Sequence, residues 1–412
     1  MRAVVFDGAI PRYLATRAAG AVSRRLLTGA CRCTQLREIP APSLPTDRWV
    51  RVETRLGGIC GSDLNLVSLH VSPSASPFSS FPFVIGHENV GTVVDAGVAV
   101  TRVARGDRVV VNPLLACSVR GIEPRCRHCE DGHPSRCEHF TDGAIAPGML
   151  LGTTRGLGGS WGEAFVAHES QVFRVPDHVS DRAAVLTEPL ACVVSPVLEQ
   201  GAALGERALV IGAGSMGLLA VAALKALARA EVTVLAKHAF QAEHAERLRA
   251  DRVVMMRDGD YFAALSRATG GRLLKPILGP RIHVGGFDAT FVCVGTEGAV
   301  SDALRFTRAG GTIVLLGNVA RLSRVDWTPL WAKELRVFGS LCYNAPLRAG
   351  VRQDAFAFAL AQVSGPLGSS LEPLVTHVVP MDDFSQALAV AQGRAGRGAI
   401  KVALGGPAQS SA

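Results

Sequence analysis

The chain has 412 residues, more than one ordinary hydrophobic core organises, and this points to two domains or three. With 48% hydrophobic and 19% charged residues it has the make-up of a packed globular enzyme rather than a disordered chain, and no stretch approaches the roughly 18 uninterrupted apolar residues of a membrane span. The formal net charge of +8 comes from scattered arginines, with only Lys225, Lys237, Lys275, Lys333 and Lys401 beside them, so no nucleic-acid stripe is read and neither nucleic acid nor membrane is expected as a partner.

In chain order, MRAVVF reads as a strand. The following PRYLATRAAGAVSRRLL is Arg-rich and weakly amphipathic, and reads as a short surface helix; as a transit peptide it would take the first strand with it. From Trp49 to about Val111, short Val-rich runs (VRVETRL, NVGTVVDAG, GDRVVV) are punctuated by Gly and Asp and predict strands. Residues 112–160 read as a long irregular loop region, after which GEAFVAHESQVFRVPD returns to strand character. From about residue 191 strands alternate with Ala/Leu-rich helices: ALVIGAG, then SMGLLAVAALKALARA, EVTVLA, QAEHAERLRA, FDATFVCVG, the helix AVSDALRFTRAGG and the strand TIVLLGN. That alternation predicts a parallel, doubly wound sheet. GRLLKPILGPRIHVGG (271–286) reads as an inserted loop. After residue 343 a helix (APLRAGVRQDAFAFALAQV), a strand (VTHVVP), a helix (DDFSQALAVAQ) and a last strand (AIKVAL) follow, with a frayed tail after Gly405.

Gly212-Ala-Gly214-Ser215-Met216-Gly217 falls between the strand ALVI and the helix LLAVAALKAL. This strand–turn–helix setting makes it a dinucleotide loop: the first Gly allows the tight turn, the second lets backbone approach a pyrophosphate, and the third lets helix and strand pack closely. An NAD-specific loop carries an Asp or Glu roughly 20 residues further on, to hold the ribose hydroxyls. Here that position is Ala236, followed by Lys237 and His238, so NADP(H) is expected over NAD(H): a carboxylate is missing and cations are present for a 2′-phosphate.

Four of the ten cysteines, Cys117, Cys126, Cys129 and Cys137, crowd into one loop (112–140). Clustered cysteines in a long chain with no secretory leader favour metal over disulfides, and four thiolates suit a structural zinc that pins a coreless loop. The expected compartment is the cytoplasm. Three shorter motifs carry further donors: Gly58-Ile-Cys60-Gly-Ser62-Asp63, Gly86-His87-Glu88 and Thr187-Glu188-Pro189. Taken singly, each has an ordinary reading as a core Cys, a satisfied core His or a helix-cap Glu.

In their order along the chain, GICGSD, GHE, the Cys loop, EP, GAGSMG, FDATFVCVG and RAGGTIVLLGN resemble the zinc-dependent medium-chain dehydrogenase/reductase superfamily of alcohol, sorbitol and threonine dehydrogenases. The resemblance implies an α/β fold: a Rossmann doubly wound sheet at 191–342, and a mainly-β GroES-like catalytic domain at 1–190, to which 343–412 returns. It further implies two zinc ions per subunit, the catalytic one on Cys60, His87 and Glu188, with Glu88 beside it and able to replace or join a ligand. Ser62 would hydrogen-bond the substrate hydroxyl, and Asp63 would orient His87. The implied reaction moves a hydride between a nicotinamide cofactor and an alcohol or carbonyl carbon, in a homodimer or homotetramer.

The chain departs from the pattern in three places. Cys117 and Cys126 are separated by eight intervening residues instead of two. Asn65 stands where many relatives carry a relay His and holds no proton at neutral pH, which leaves water or His70 as the way out. The third departure is the missing acid at Ala236. The competing reading is an NADPH-dependent reductase of activated C=C or C=O bonds, whose branches generally lack these zinc ligands.

Overall fold

Alternate apolar positions along Trp49–Gly58 bury Val50, Val52 and Leu56 on one side of this ten-residue strand in the computed structural model. The structure describes residues 1–29, 31–319, 322–348, 350–395 and 398–406; the tail beyond Gly406 lies outside them. Two compact units form, Met1–Glu188 with Tyr343–Ala412, and Pro189–Cys342.

In the first unit, Trp49–Gly58 pairs with Asn89–Ala96, Ala164–His168 and Lys401–Gly405. These belong to a seven-stranded, mainly antiparallel sheet that runs from Val375–Pro380 at one side to Val172–Arg174 at the other. A smaller sheet holds Arg2–Phe6 between Thr34–Glu38 and Phe83–Val84. The last strand, Lys401–Gly405, thus brings the C-terminal segment against the strand that leads into the GICGSD motif.

The second unit is a six-stranded parallel sheet in the order Arg252–Met255, Glu231–Ala236, Arg207–Ile211, Phe287–Val292, Thr307–Leu315, Arg336–Gly339. The chain reverses direction across this sheet between Arg207–Ile211 and Phe287–Val292. The glycine loop leaves the sheet there, where doubly wound folds bind their ligands. The fold is therefore the expected pairing of a Rossmann sheet with a mainly-β, GroES-like unit.

Four details differ from the sequence reading. The helix expected over 345–363 begins at Ala355: Pro346 and Gly350 favour a small hairpin, and Asp354 caps the helix by accepting from the Phe356 and Ala357 amides at 2.8 and 3.0 Å. The helix expected to run through Gly311 stops at Phe306, where the β-branched Thr307 starts the next strand. Residues 271–286 are not a plain loop but an antiparallel hairpin, Arg272–Leu274 with Ile282–Val284. Its His283 is fully buried, packs against the Phe306 ring and has neither ring nitrogen hydrogen-bonded. Finally, the strand Arg336–Gly339 escaped notice because its VFG core is too short to show a period.

Candidate metal and dinucleotide sites

Short polar helices and turns cannot bury a core, so the 112–140 loop needs other supports. The Sγ atoms of Cys117, Cys126, Cys129 and Cys137 all lie within 4.8 Å of one another, with none in a disulfide. Tetrahedral thiolate ligands about 2.3 Å from zinc stand about 3.8 Å apart, so the four sulfurs are gathered near enough to hold that ion. Cys117 lies 3.5 Å from Cys137 and accepts from the Cys126 amide, so the longer spacer still returns the first cysteine to the cluster. Hydrogen bonds from Cys129 bring Cys137 down to about 5, while burial pushes Cys117 up to about 11.

The spacer itself adds a support that the sequence reading passed over. Arg120 is fully buried, and its guanidinium donates to the carbonyls of Leu115, Asp142, Ile145, Ala146 and Gly148. It binds the two ends of the loop together beside the thiolates.

The second cluster joins Cys60, His87 and Glu88, whose donor atoms lie within 4.8 Å of one another. Cys60 immediately precedes the helix Gly61–Val67, where its amide donates to Asp63 Oδ2 at 2.9 Å. Asp63 Oδ1 lies 3.5 Å from His87 Nδ1, so one carboxylate holds both the cysteine turn and the imidazole. Burial opposes charge on His87, but the Asp63 carboxylate and the Cys60 thiol raise it well above the usual imidazole range. Gly58 is required here because a Cβ at that position would collide with the Glu88 side chain.

Glu88 is completely buried, and both its oxygens accept from Lys401 Nζ, at 2.5 and 2.7 Å. The ammonium also donates to the Ile59 carbonyl at 3.2 Å. Burial works against the Lys401 charge, but Glu88 and Cys60 hold its pKa above the usual lysine value. Glu188, in the first turn of Thr187–Gln200, is also buried and accepts from Tyr343 Oη at 2.9 Å. Burial raises its carboxyl, with His87 and Glu88 close enough to act on it electrostatically.

The tight donor set therefore contains Glu88 where the resemblance implied Glu188, and Glu188 stands in the same charged neighbourhood. Cys60, Asp63, Glu88 and Glu188 outnumber the buried cation Lys401, and a dication suits that surplus of acid and thiol. Ser62 sits half-buried in the first turn after Cys60, Asn65 lies one turn on, and His70 is exposed. Lys401 was legible in principle as a lone lysine inside the apolar strand AIKVAL, whereas nothing in the sequence singled out Tyr343.

In the second unit, Gly212 takes φ +93°, and a Cβ there would press on Val294. A Cβ at Gly217 would strike the Gly212 carbonyl, whereas the position at Gly214 is open. Gly214 caps the helix Ser215–Ala223, and the buried Ser215 hydroxyl has no hydrogen-bond partner. An open backbone, a helix N-terminus and an unanswered hydroxyl fit a pyrophosphate. Met216 follows in the first turn. At the end of the neighbouring strand Ala236 is fully buried, while Lys237 and His238 are exposed. Arg257, not singled out in the sequence, acts electrostatically on His238, whose pKa is lowered by desolvation first and by Lys237 and Arg257 next.

Comparison with known proteins identifies the family. Residues 46–177 match the family described as Alcohol dehydrogenase GroES-like domain, and 215–361 match that described as Zinc-binding dehydrogenase. D-xylulose reductase of Scheffersomyces stipitis is 30% identical over 90% of this chain and 94% of its own, and D-arabinitol dehydrogenase 1 of Uromyces fabae is 26% identical over 86% and 89%. A zinc-binding dehydrogenase structure from Sinorhizobium meliloti, bound to NADP, superposes with a TM-score of 0.69 at 25% identity, covering 90% of this chain and 96% of that one. The chain belongs to the zinc-dependent medium-chain dehydrogenase/reductase superfamily. It is an NAD(P)-dependent oxidoreductase of the alcohol and polyol dehydrogenase type, acting on CH–OH groups of small molecules. The relatives favour that activity over reduction of activated C=C or C=O bonds. No helix among the described residues is long and apolar enough to cross a membrane.

Proposed function

We propose an NADP(H)-preferring polyol or secondary-alcohol dehydrogenase with two zinc ions per subunit, one on Cys117, Cys126, Cys129 and Cys137 and one at the Cys60–His87 centre. The observation that carries this reading is the coexistence of two separate donor clusters with a dinucleotide loop whose following strand ends in Ala236. In it, the unit containing residues 1–188 and 343–412 does the chemistry and the Pro189–Cys342 unit binds the dinucleotide.

Cys60, His87 and Glu188 would hold the zinc, which would supply Lewis acidity toward a substrate oxygen beside a nicotinamide able to accept hydride. The side chains do the rest. Asp63 fixes the His87 ring and the Cys60 turn together. Lys401 neutralises Glu88 and holds it beside Cys60 and His87, where it would be placed to replace or join Glu188 as a ligand. Ser62 hydrogen-bonds the substrate hydroxyl and relays its proton, releasing its own hydroxyl proton as it accepts the substrate's. Asn65 passes no proton on, so the proton leaves through water or by way of the exposed His70.

Lys237 and Arg257 supply the positive charge for a 2′-phosphate, and His238 contributes a hydrogen bond in its neutral form. Ala236 keeps a competing carboxylate away. Measuring kcat/KM with both cofactors tests the preference: Ala236→Asp moves it toward NAD, and Lys237→Ala weakens NADP alone by about tenfold or more, as loss of a charge-assisted hydrogen bond does. A wild-type preference for NAD above about tenfold overturns the NADP assignment. The open edge of Arg336–Gly339, with Val337 and Trp331 exposed near it, supports a homodimer formed by edge pairing, alone or within a homotetramer.

A further inference from the structure

Arg2–Phe6 and Thr34–Glu38 pair antiparallel, a relation that a turn of a few residues closes, yet residues 7–33 lie between them. They form the helix Ile10–Val22 and the turn Arg24–Leu27. One side of this segment is anchored. Thr16 is fully buried and its hydroxyl accepts from the Cys33 amide at 2.9 Å. Tyr13 packs against the cluster of Val67, Phe384 and Leu388, and Leu27 is buried.

The other side faces outward and is apolar. Ile10, Leu14 and Val22 are 75%, 58% and 83% exposed, with exposed Ala18 and Ala21 between them at helical spacing. From Gly8 to Arg37 there is no acidic residue. Asp7 answers Arg12 and Arg37, at 3.1 and 3.0 Å, whereas the exposed Arg17 and Arg24 have no ion-pair partner among the described residues. A helix held by one face, with large apolar side chains and unpaired guanidiniums on the other, matches what lies flat at a lipid–water boundary.

We propose that the outer face of Ile10–Val22 is a docking surface for an anionic lipid membrane, which it meets without spanning. The apolar side chains enter the acyl boundary while Arg17 and Arg24 remain among the phosphates. Charge selects this occupant. A second copy on the same face brings like-charged arginines together, whereas an anionic bilayer answers both the arginines and the net charge of +8. This departs from the sequence-based expectation of no membrane partner, and it is independent of the dehydrogenase reading.

The test is co-sedimentation of the full-length protein with extruded vesicles of phosphatidylcholine alone or mixed with phosphatidylglycerol. The expected result is binding to the anionic vesicles only. That binding weakens by about tenfold or more in the doubly substituted Leu14→Glu/Val22→Glu protein, in Arg17→Glu and in high salt. The three positions are exposed, so thermal midpoint and dehydrogenase activity stay unchanged and separate a docking defect from misfolding. Lack of sedimentation with either vesicle overturns the proposal, as does equal binding to both. Anionic binding that survives the substitutions assigns it to another surface. Self-association that Leu14→Glu/Val22→Glu abolishes, without vesicle binding, makes a second copy the occupant.

Discussion

Ser62 is one residue from the ion-pairing Asp63 and two from Cys60, yet its proposed task differs from both, because it handles a proton and not a metal. Ser62→Ala is expected to lower kcat by about 100-fold or more, the size of a lost acid–base group, with little change in cofactor affinity measured by fluorescence titration. A rate within about threefold of wild type contradicts the assignment. His283 offers a second test at this scale. Burial first, and the Lys333 charge next, bring its pKa down to about 4. An unfolded chain protonates this imidazole near 6.5, so between about pH 6.5 and 4 it binds the proton that the folded state refuses. Stability from this residue is therefore complete above that window and is lost as pH falls through it, by about 2 kcal/mol at pH 5. His283→Leu is expected to flatten the acid limb of a denaturant-unfolding series between pH 8 and 5; an unchanged slope shows that the ring finds a partner. The Ser62 role was already implied by the sequence, whereas the His283 effect could not be read from it, since the burial of His283 depends on a hairpin whose strands are three residues each.

The elements divide between those that periodicity marks and those that only packing makes. The strands Arg207–Ile211 and Glu231–Ala236 and the helix between them were legible because Gly212, Gly214 and Gly217 punctuate a long apolar run. The four cysteines were legible because so many thiols in a polar loop need a common partner. Arg120 was not, because a lone arginine in a spacer looks solvated until the carbonyls it gathers are seen. Glu88 and Glu188 were both visible, but their relation to Cys60 depends on Lys401, which arrives from the last strand. The loop account makes a differential prediction. Cys129→Ser is expected to release one zinc per subunit and lower the thermal midpoint, because loop metals contribute folding energy. Cys60→Ser is expected to remove activity with the midpoint nearly unchanged. Arg120→Met is expected to resemble Cys129→Ser in the melt, because it leaves buried carbonyls unanswered at about 1–3 kcal/mol each. Equal melting behaviour of Cys129→Ser and Cys60→Ser contradicts the separation into a supporting and a reactive metal.

At the scale of the whole molecule, the parallel-sheet unit presents a glycine loop suited to a dinucleotide, and the mainly-β unit presents Cys60 and His87, which suit a metal. The buried ion pair Lys401–Glu88 ties the C-terminal strand to the Cys60–His87–Glu88 cluster, so in the proposed account that strand belongs to the reactive centre. Truncation before Lys401 is accordingly incompatible with activity. The most direct measurement of the central claim is the appearance of NADPH absorbance when the purified protein is given NADP and a panel of polyols and secondary alcohols, before and after removal of its metal by a chelator. The account predicts alcohol-dependent NADPH formation that disappears with the metal and returns with added zinc. NADPH consumption with quinones or enones, unaffected by the chelator and with no oxidation of any alcohol, would contradict it.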